Sequence, residues 1–289
     1  MTLTGFATRI FGRIIDKYPN LFPHLKEDLL QAQIKLSFRS YVSLSFFISL
    51  ITSLVSVGGI LIANAFLKFS FLTFLLYLTL IPPSSFLVTF LIFMFYPSFV
   101  SSSRRKDIEI NLPFALMHMG AIAESGVPPY VIFRLISEFK EYGELAKEMK
   151  KIVRYIDVFG LDPLSAVKEV SSKTPSKKLR QILLGFVTTT ESGGNVTVYL
   201  KNVGRQTLYE WRLKRERFIQ QLSTYAEIYT ALIIAGPLFM ISLFAVLNLI
   251  QPTIAGFHML DLTKIGVYGI IPLVNIGFLL FLKGVEVEI

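Results

Sequence analysis

Residues 40–67 read SYVSLSFFISLITSLVSVGGILIANAFL, 28 positions between Arg39 and Lys68 without a charged side chain. A helix crosses the hydrocarbon core of a bilayer with about 20 predominantly apolar residues. This stretch is therefore read as a membrane span. Three more charge-free runs fit the same description: 35 residues between Lys68 and Arg104, 33 between Glu227 and Asp261, and 18 between Lys264 and Lys283. Between the second and third lies a charged stretch of 122 residues, 101–222. The expected architecture is an all-α polytopic membrane protein with four transmembrane helices and a soluble insert the size of a domain. Its parts are an N-terminal segment at 1–39, spans one and two at 40–100, the insert at 101–222, and spans three and four at 223–289.

The charge asymmetry sets the expected orientation. The insert holds 20 Lys and Arg against 13 Asp and Glu, and residues 1–39 hold 6 against 3. The opposite connections offer Lys68 in one and Asp261 with Lys264 in the other. Positively charged short segments stay on the cytoplasmic side, which puts the N-terminus, the insert and the C-terminus in the cytoplasm of a multi-pass cell-membrane protein. An even number of spans agrees.

Hydrophobic residues make up 53% of the chain and cysteine is absent, which excludes disulfides, thiolate metal sites and thiol catalysis. The net charge of +9 is accounted for by basic flanks of membrane helices and their attraction to anionic lipids, so no nucleic-acid partner is expected. The first 30 residues lack the uninterrupted apolar core of a cleavable signal. They carry Leu3, Phe6, Ala7, Ile10, Phe11, Ile14, Ile15 and Tyr18 at helical spacing, with Arg9, Arg13 and Lys17 opposite. Such a helix either lies on the membrane surface, packs on a partner, or covers the chain's own insert. A second short helix is expected from about Pro23.

Pro82-Pro83 falls in the middle of the second run. Proline removes a helical hydrogen bond and kinks the segment, yet splitting the run leaves two pieces too short to cross. One kinked span is the reading, with a re-entrant hairpin as the alternative. Gly236-Pro237 and Pro272 are expected to bend the third and fourth spans.

The insert has a 3.6-residue periodicity throughout and reads as six helices with short connections, a bundle. The first, about 111–124, turns Leu112, Ala115, Leu116, Met119 and Ile122 inward. On the second, after Pro128-Pro129, the stripe is Ile132, Leu135, Ile136 and Phe139. The third, about 142–158, buries Leu145, Met149, Ile152, Val153 and Ile156 and turns Glu144, Lys147, Glu148, Lys151 and Arg154 outward. Asp162-Pro163 starts the fourth, with Leu164, Val167 and Val170, and Thr174-Pro175 the fifth, with Leu179, Ile182, Leu183 and Phe186. The sixth, from about Val196, carries Leu200, Val203, Thr207 and Trp211 and is expected to run on into the third span.

Two connections are alike: Glu124-Ser125-Gly126 after the first helix and Glu191-Ser192-Gly193-Gly194 after the fifth. Glycine just past a helix end is the usual left-handed cap, so the glycines need no further role. A glutamate in each last turn, where the macrodipole disfavours negative charge, makes both loops candidates for contact with a partner.

Leu112-Pro113-Phe114-Ala115 with His118, Glu124-Ser125-Gly126-Val127, the stretch from Glu141-Tyr142-Gly143-Glu144 to Asp157-Val158-Phe159-Gly160, Lys173-Thr174-Pro175-Ser176-Lys177-Lys178-Leu179, Ser192-Gly193-Gly194 with Tyr199-Leu200, and Ala226-Glu227-Ile228-Tyr229 before Gly236-Pro237 follow one another in a specific order and spacing. Over roughly residues 100–250 this series resembles the type II secretion system F domain, in the form found in archaeal pilus and archaellum platform proteins. The resemblance implies a non-enzymatic membrane platform of a type IV pilus-like filament or secretion machine. Such a platform couples a cytoplasmic hexameric secretion ATPase to the insertion of pilin subunits into the filament. Many relatives are longer, with a second bundle or extra spans. The short form is similar to tight-adherence-type platforms, which implies a homodimer or a paired paralogous chain.

No catalytic, cofactor or metal residue is expected. His24, His118 and His258 are scattered without ligand spacing, and neither a phosphate-binding Gly-Lys-Ser/Thr loop nor a Gly-x-Ser-x-Gly elbow occurs. The alternative from another class is a transporter or channel subunit with a cytoplasmic regulatory domain. Transport sites show as ionisable residues inside spans, and here Glu227 at the edge of the third run is the one such group. Under the platform reading, Glu124, Ser125, Gly126, Glu191, Ser192, Gly193 and Gly194 are the candidate ATPase contacts. Arg212, Lys214, Arg215 and Arg217, just before the third span, form a basic cluster for anionic headgroups, with ATPase contact as its second use.

Overall fold

The Ser37 hydroxyl accepts from the Ser40 N–H at 3.2 Å and so starts the first span. The computed structural model describes residues 8, 25–68, 70–251, 253, 254 and 257–286. The amphipathic pattern of residues 3–18 lies, Thr8 apart, outside them. The chain forms two compact units, 1–208 and 209–289.

In the first unit, a short helix α1 (Leu25–Gln31) precedes α2 (Phe38–Leu67) and α3 (Phe71–Glu124). Helices α2 and α3 pair through small polar contacts. Thr52 bonds Thr89 and Ser56 bonds Ser85, each at 3.2 Å, and the Tyr41 hydroxyl donates to the Phe93 carbonyl at 2.7 Å. In lipid, where apolar surface gains nothing by leaving the surroundings, such hydroxyl pairs and close packing drive association.

Helix α3 is unbroken over 54 residues although it contains Pro82, Pro83, Pro97 and Pro113. The Ser84 and Ser85 hydroxyls donate back to the carbonyls of Ile81 and Pro82, each at 2.9 Å. These bonds add to the helix's own ladder; the carbonyls that Pro82 and Pro83 leave without a helical donor are those of Leu78 and Thr79, four residues back. The continuity excludes the re-entrant hairpin. It also corrects the start expected near Asn111: the first bundle helix is the continuation of the second span.

The bundle is completed by α4 (Pro129–Glu138), α5 (Gly143–Asp157), α6 (Pro163–Lys173), α7 (Lys177–Glu191) and the first turns of α8 (Val196–Tyr229). Its core joins Ile108, Leu112 and Leu116 of α3 to Phe133, Met149, Val167, Phe186 and Leu200 from the other five helices. The Phe133 and Phe186 rings meet edge to face at 5.2 Å, an arrangement the ring quadrupole favours. The cavity among these side chains is only about 10 Å³, the density of a well-packed interior.

Three sequence expectations are corrected here. On α4 the buried set is Ile132, Phe133 and Ile136, while Leu135 and Phe139 are exposed at 36% and 39%. Phe139 instead packs on His118 at 4.7 Å between centroids. Helix α7 is capped by Ser176, whose hydroxyl accepts from the Leu179 N–H at 3.2 Å, because Thr174 ends α6. Glu148, placed on the solvent side of α5, is fully buried. Asp162 does cap α6, accepting from the N–H groups of Leu164 and Ser165.

In the second unit α8 passes into one π-turn, Thr230–Ala235, and then α9 (Gly236–Ile250). A two-residue hairpin, β1 (Thr253–Ile254) with β2 (Phe257–His258), leads to α10 (Met259–Ile265), a second π-turn at Gly266–Ile270 and α11 (Ile271–Glu286). Each π-turn stands just ahead of a proline, Pro237 or Pro272. The Gly236 N–H reaches Ala231 and the Ile271 N–H reaches Gly266, both five residues back. The widened turn absorbs what a proline ring would otherwise disrupt. Tyr225 on Phe281 and Tyr229 on Phe278, at 5.5 and 5.2 Å, hold the third and fourth spans together.

Among the described residues, four helices are long and apolar enough to cross a membrane: Phe38–Leu67, the apolar part of Phe71–Glu124, the apolar part of Val196–Ile250, and Leu260–Gly284. The chain is an all-α polytopic membrane protein.

Candidate functional site

Glu124 and Glu191 come to the same end of the bundle, the end of α3 farthest from its apolar span. Thr197, in the first turn of α8, donates to the Ala123 carbonyl at 3.1 Å, and Lys201 one turn later pairs with Glu124. The loop that ends in Gly194 therefore delivers α8 directly onto the last turn of α3. Glu191 is held by Lys168 of α6 at 2.6 Å. Each glutamate at an unfavourable helix end thus has a lysine from a neighbouring helix, with both carboxylates about half exposed. That pairing offsets the clash with the macrodipole.

The other residues of these loops make cap contacts. The Ser125 hydroxyl donates to the Ile122 carbonyl and the Ser192 hydroxyl to the Thr188 carbonyl, both at 2.7 Å. Gly126 and Gly193 have φ of 72° and 69°, the left-handed conformation that glycine adopts without penalty. The Gly194 N–H closes the turn on the Thr189 carbonyl at 2.8 Å.

A third loop reaches this end. The Tyr130 hydroxyl, at the start of α4, donates to the Asp157 carboxylate at 2.8 Å. Just beyond, Val158 and Phe159 are exposed at 67% and 60%. Together with the two glutamate loops they make a tip of apolar side chains beside carboxylates. Sequence reading missed Val158 and Phe159 as surface residues of interest. The signal available was that two large apolar residues sit between the end of α5 and Gly160, where no helix remains to bury them.

At the other end of the bundle, where α3 leaves its apolar stretch, lies a buried ionic cluster. Arg104 donates from Nε to Glu144 and from Nη2 to Glu148, both at 2.7 Å, and also to the Gln31 carbonyl at the end of α1. Lys151 approaches Glu148 at 2.8 Å. Burial works against the charge of Glu144, but hydrogen bonds from Lys147 and Arg104 outweigh it and hold its carboxyl below the ordinary range. Burial pushes the Lys151 ammonium down, against the upward pull of Glu148. Beside the cluster, Asp107 of α3 accepts from the Glu144 N–H at 2.6 Å and caps α5 from a different helix. Gly143, at φ 52°, makes the room, since a Cβ there would overlap the Asp107 carboxylate.

In the second unit Arg212, Lys214, Arg215 and Arg217 are all exposed on α8. At about 100° per residue they point around the whole helix rather than along one face. A ring of cations suits a helix surrounded by headgroups more than a one-sided protein contact.

Residues 115–244 match the family model of type II secretion system protein F. The matched stretch is 130 of the chain's 289 residues, a little under half. The match begins inside the bundle part of α3 and ends in α9. The chain is also similar to an uncharacterised protein of Methanocaldococcus jannaschii, at 25% identity over 201 residues, 68% of this chain and 34% of the relative. The Flagella accessory protein J of the same organism is 24% identical over 221 residues, 76% of this chain and 37% of that protein. A second uncharacterised protein from this source is 24% identical over 140 residues, covering 46% and 40%. The chain thus spans between a third and two fifths of the length of these relatives. No solved structure matches.

Proposed function

We propose that this chain is the cytoplasmic-membrane platform of a type IV pilus-like or archaellum-like filament machine. In this reading the bundle, the N-terminus and the C-terminus face the cytoplasm. A hexameric secretion ATPase docks on the bundle tip, and pilin subunits enter the filament beside the spans. A second platform chain, identical or paralogous, completes the assembly, and the basic ring on α8 holds the headgroup layer.

The observation that carries the reading is α3: one helix whose first half is apolar enough to span the bilayer and whose last turns fill the bundle core. At 1.5 Å per residue it is about 80 Å long. Displacement imposed at Glu124 has no loop in which to dissipate before the membrane. The protein F family match and the similarity to a flagella accessory protein supply the kind of machine. Glu124, Glu191, Val158 and Phe159 form the docking tip, with Ser125, Gly126, Ser192, Gly193 and Gly194 shaping the loops that present it.

The test is co-purification of the full chain with the secretion ATPase from its own cell. Val158→Ser with Phe159→Ser, and separately Glu124→Lys with Glu191→Lys, should each abolish recovery of the ATPase and filaments on the cell surface while leaving solute flux unchanged. Undiminished recovery with both double variants overturns the docking tip. Normal filaments in a deletion strain overturn the function.

A further inference from the structure

A cleft of about 570 Å³ opens between α1, the part of α3 around Ser98–Arg105, and the turn joining α6 to α7. Its walls carry Arg105, Lys173, Lys177 and Arg180 against Glu27 and Asp28, so cations outnumber acids four to two. The Arg180 guanidinium is fixed by the carbonyls of Ser171, Ser172 and Thr174 at 3.0–3.4 Å. Arg105 and Lys173 share their charge with Glu109 and Glu169. Lys177 is exposed and has no ion-pair partner among the described residues. It stands in the first turn of α7, a 15-residue helix whose N-terminal end adds partial positive charge. The hydroxyl-bearing Ser98 and Ser102 line the same space.

The position of the cleft identifies what fills it. Ser98 belongs to the charge-free run that ends at Arg104, so the cleft lies where α3 leaves its apolar span. Leu30, 55% exposed, adds an apolar wall. We propose that this cleft binds the phosphate of an anionic lipid headgroup, with Lys177, Arg105 and Arg180 around the phosphate and Leu30 against the lipid's apolar part. A soluble phosphate ion would use the cations but gain nothing from Leu30. The inference rests on the membrane architecture alone and not on the platform reading.

The experiment titrates the full chain, purified in dodecyl maltoside, with dioleoylphosphatidylglycerol and counts bound lipid by native mass spectrometry. Dioleoylphosphatidylcholine and inorganic phosphate are the comparison probes. Lys177→Glu should weaken phosphatidylglycerol binding roughly thirty-fold, the scale of two charge units near an anionic headgroup. Lys177→Arg and the exposed Lys150→Gln on α5 should bind like the parent. Lys177 is exposed, so its variants should keep the parent's far-UV circular dichroism. Equal binding by Lys177→Glu and the parent overturns the site, and equal binding of phosphatidylcholine overturns its anionic selectivity. Retention of inorganic phosphate without retention of lipid overturns the lipid in favour of a soluble ligand.

Discussion

Arg104 of α3 and Glu148 of α5 lie 2.7 Å apart with side-chain exposures of 9% and 0%, while the next residue, Arg105, pairs with Glu109 at 3.0 Å on the surface. Adjacent positions in the sequence therefore hold two ion pairs of opposite physical character. Removing one partner of a buried pair costs about 3–5 kcal/mol because the other charge is stranded. An exposed pair is worth about 1 kcal/mol or less. Arg104→Met should lower the stability of the full chain by about 3–5 kcal/mol and Arg105→Met by less than about 1, as read from denaturant unfolding in detergent followed by circular dichroism. Equal losses would show that Glu148 is solvated.

The same cluster imposes a pH dependence. Glu144 is held below its ordinary value of 4.5, so its contribution is complete above that value and is lost as the pH falls through its depressed folded value. Lys151 is depressed below 10.5 by burial. Its native state gives up a proton before the unfolded state does, and stability rises with pH between its folded value and 10.5. Lys151→Met should remove that alkaline rise and leave the acid limb in place. An unchanged alkaline profile would place the Lys151 ammonium in solvent.

Gly143 is replaceable only at a cost, because its φ of 52° and the Asp107 carboxylate both exclude a side chain. Gly143→Ala should destabilise the bundle by more than Asp107→Ala, whose loss is that of a helix cap, about 0.5–2 kcal/mol. The double variant should fall short of the sum, since both act on one contact. Thermal unfolding of the three variants decides it, and strict additivity would mean that the two residues act separately.

The chain has no cysteine, so Lys150→Cys supplies a single thiol on the exposed face of α5. In intact cells that thiol should stay unmodified by a membrane-impermeant maleimide and react fully after permeabilisation. Labelling of intact cells would put the bundle outside and exclude an internal motor.

Neutralising Arg212, Lys214, Arg215 and Arg217 together should weaken retention of the full chain on anionic vesicles over neutral ones. On the headgroup reading each residue contributes about 1 kcal/mol near an anionic surface. Unchanged lipid preference, with lost recovery of the ATPase, would give the ring to the protein partner instead.

The spans were legible because a charge inside hydrocarbon is costly, and each charge-free run became a membrane-length helix. The bundle helices followed from periodicity, down to Leu179, Ile182, Leu183 and Phe186, all buried as expected. Glu148 was misread because a helical pattern records only its own helix. Its partner Arg104 is 44 positions away, and α3 covers a face that looks polar. Ser176 displaced Thr174 as a cap for a similar reason: two hydroxyl residues flank Pro175, and packing chose between them. The glutamate loops were found from sequence, but their lysine partners, Lys168 and Lys201, come from other helices and left no local trace. The two π-turns also escaped, since a proline announces a bend without saying how the backbone absorbs it.

Each π-turn has a consequence for how the spans can be compared. A π-turn is an α-helix with one residue inserted, so every side chain after Ala235 or Ile270 is advanced by about 100° relative to an unbroken helix. The stripe of α8 that faces a neighbour before Thr230 does not continue onto α9, and the same offset separates α10 from α11. Excising one residue from either turn would swing the following half-span back into phase, presenting to its surroundings a face that the native chain never shows there.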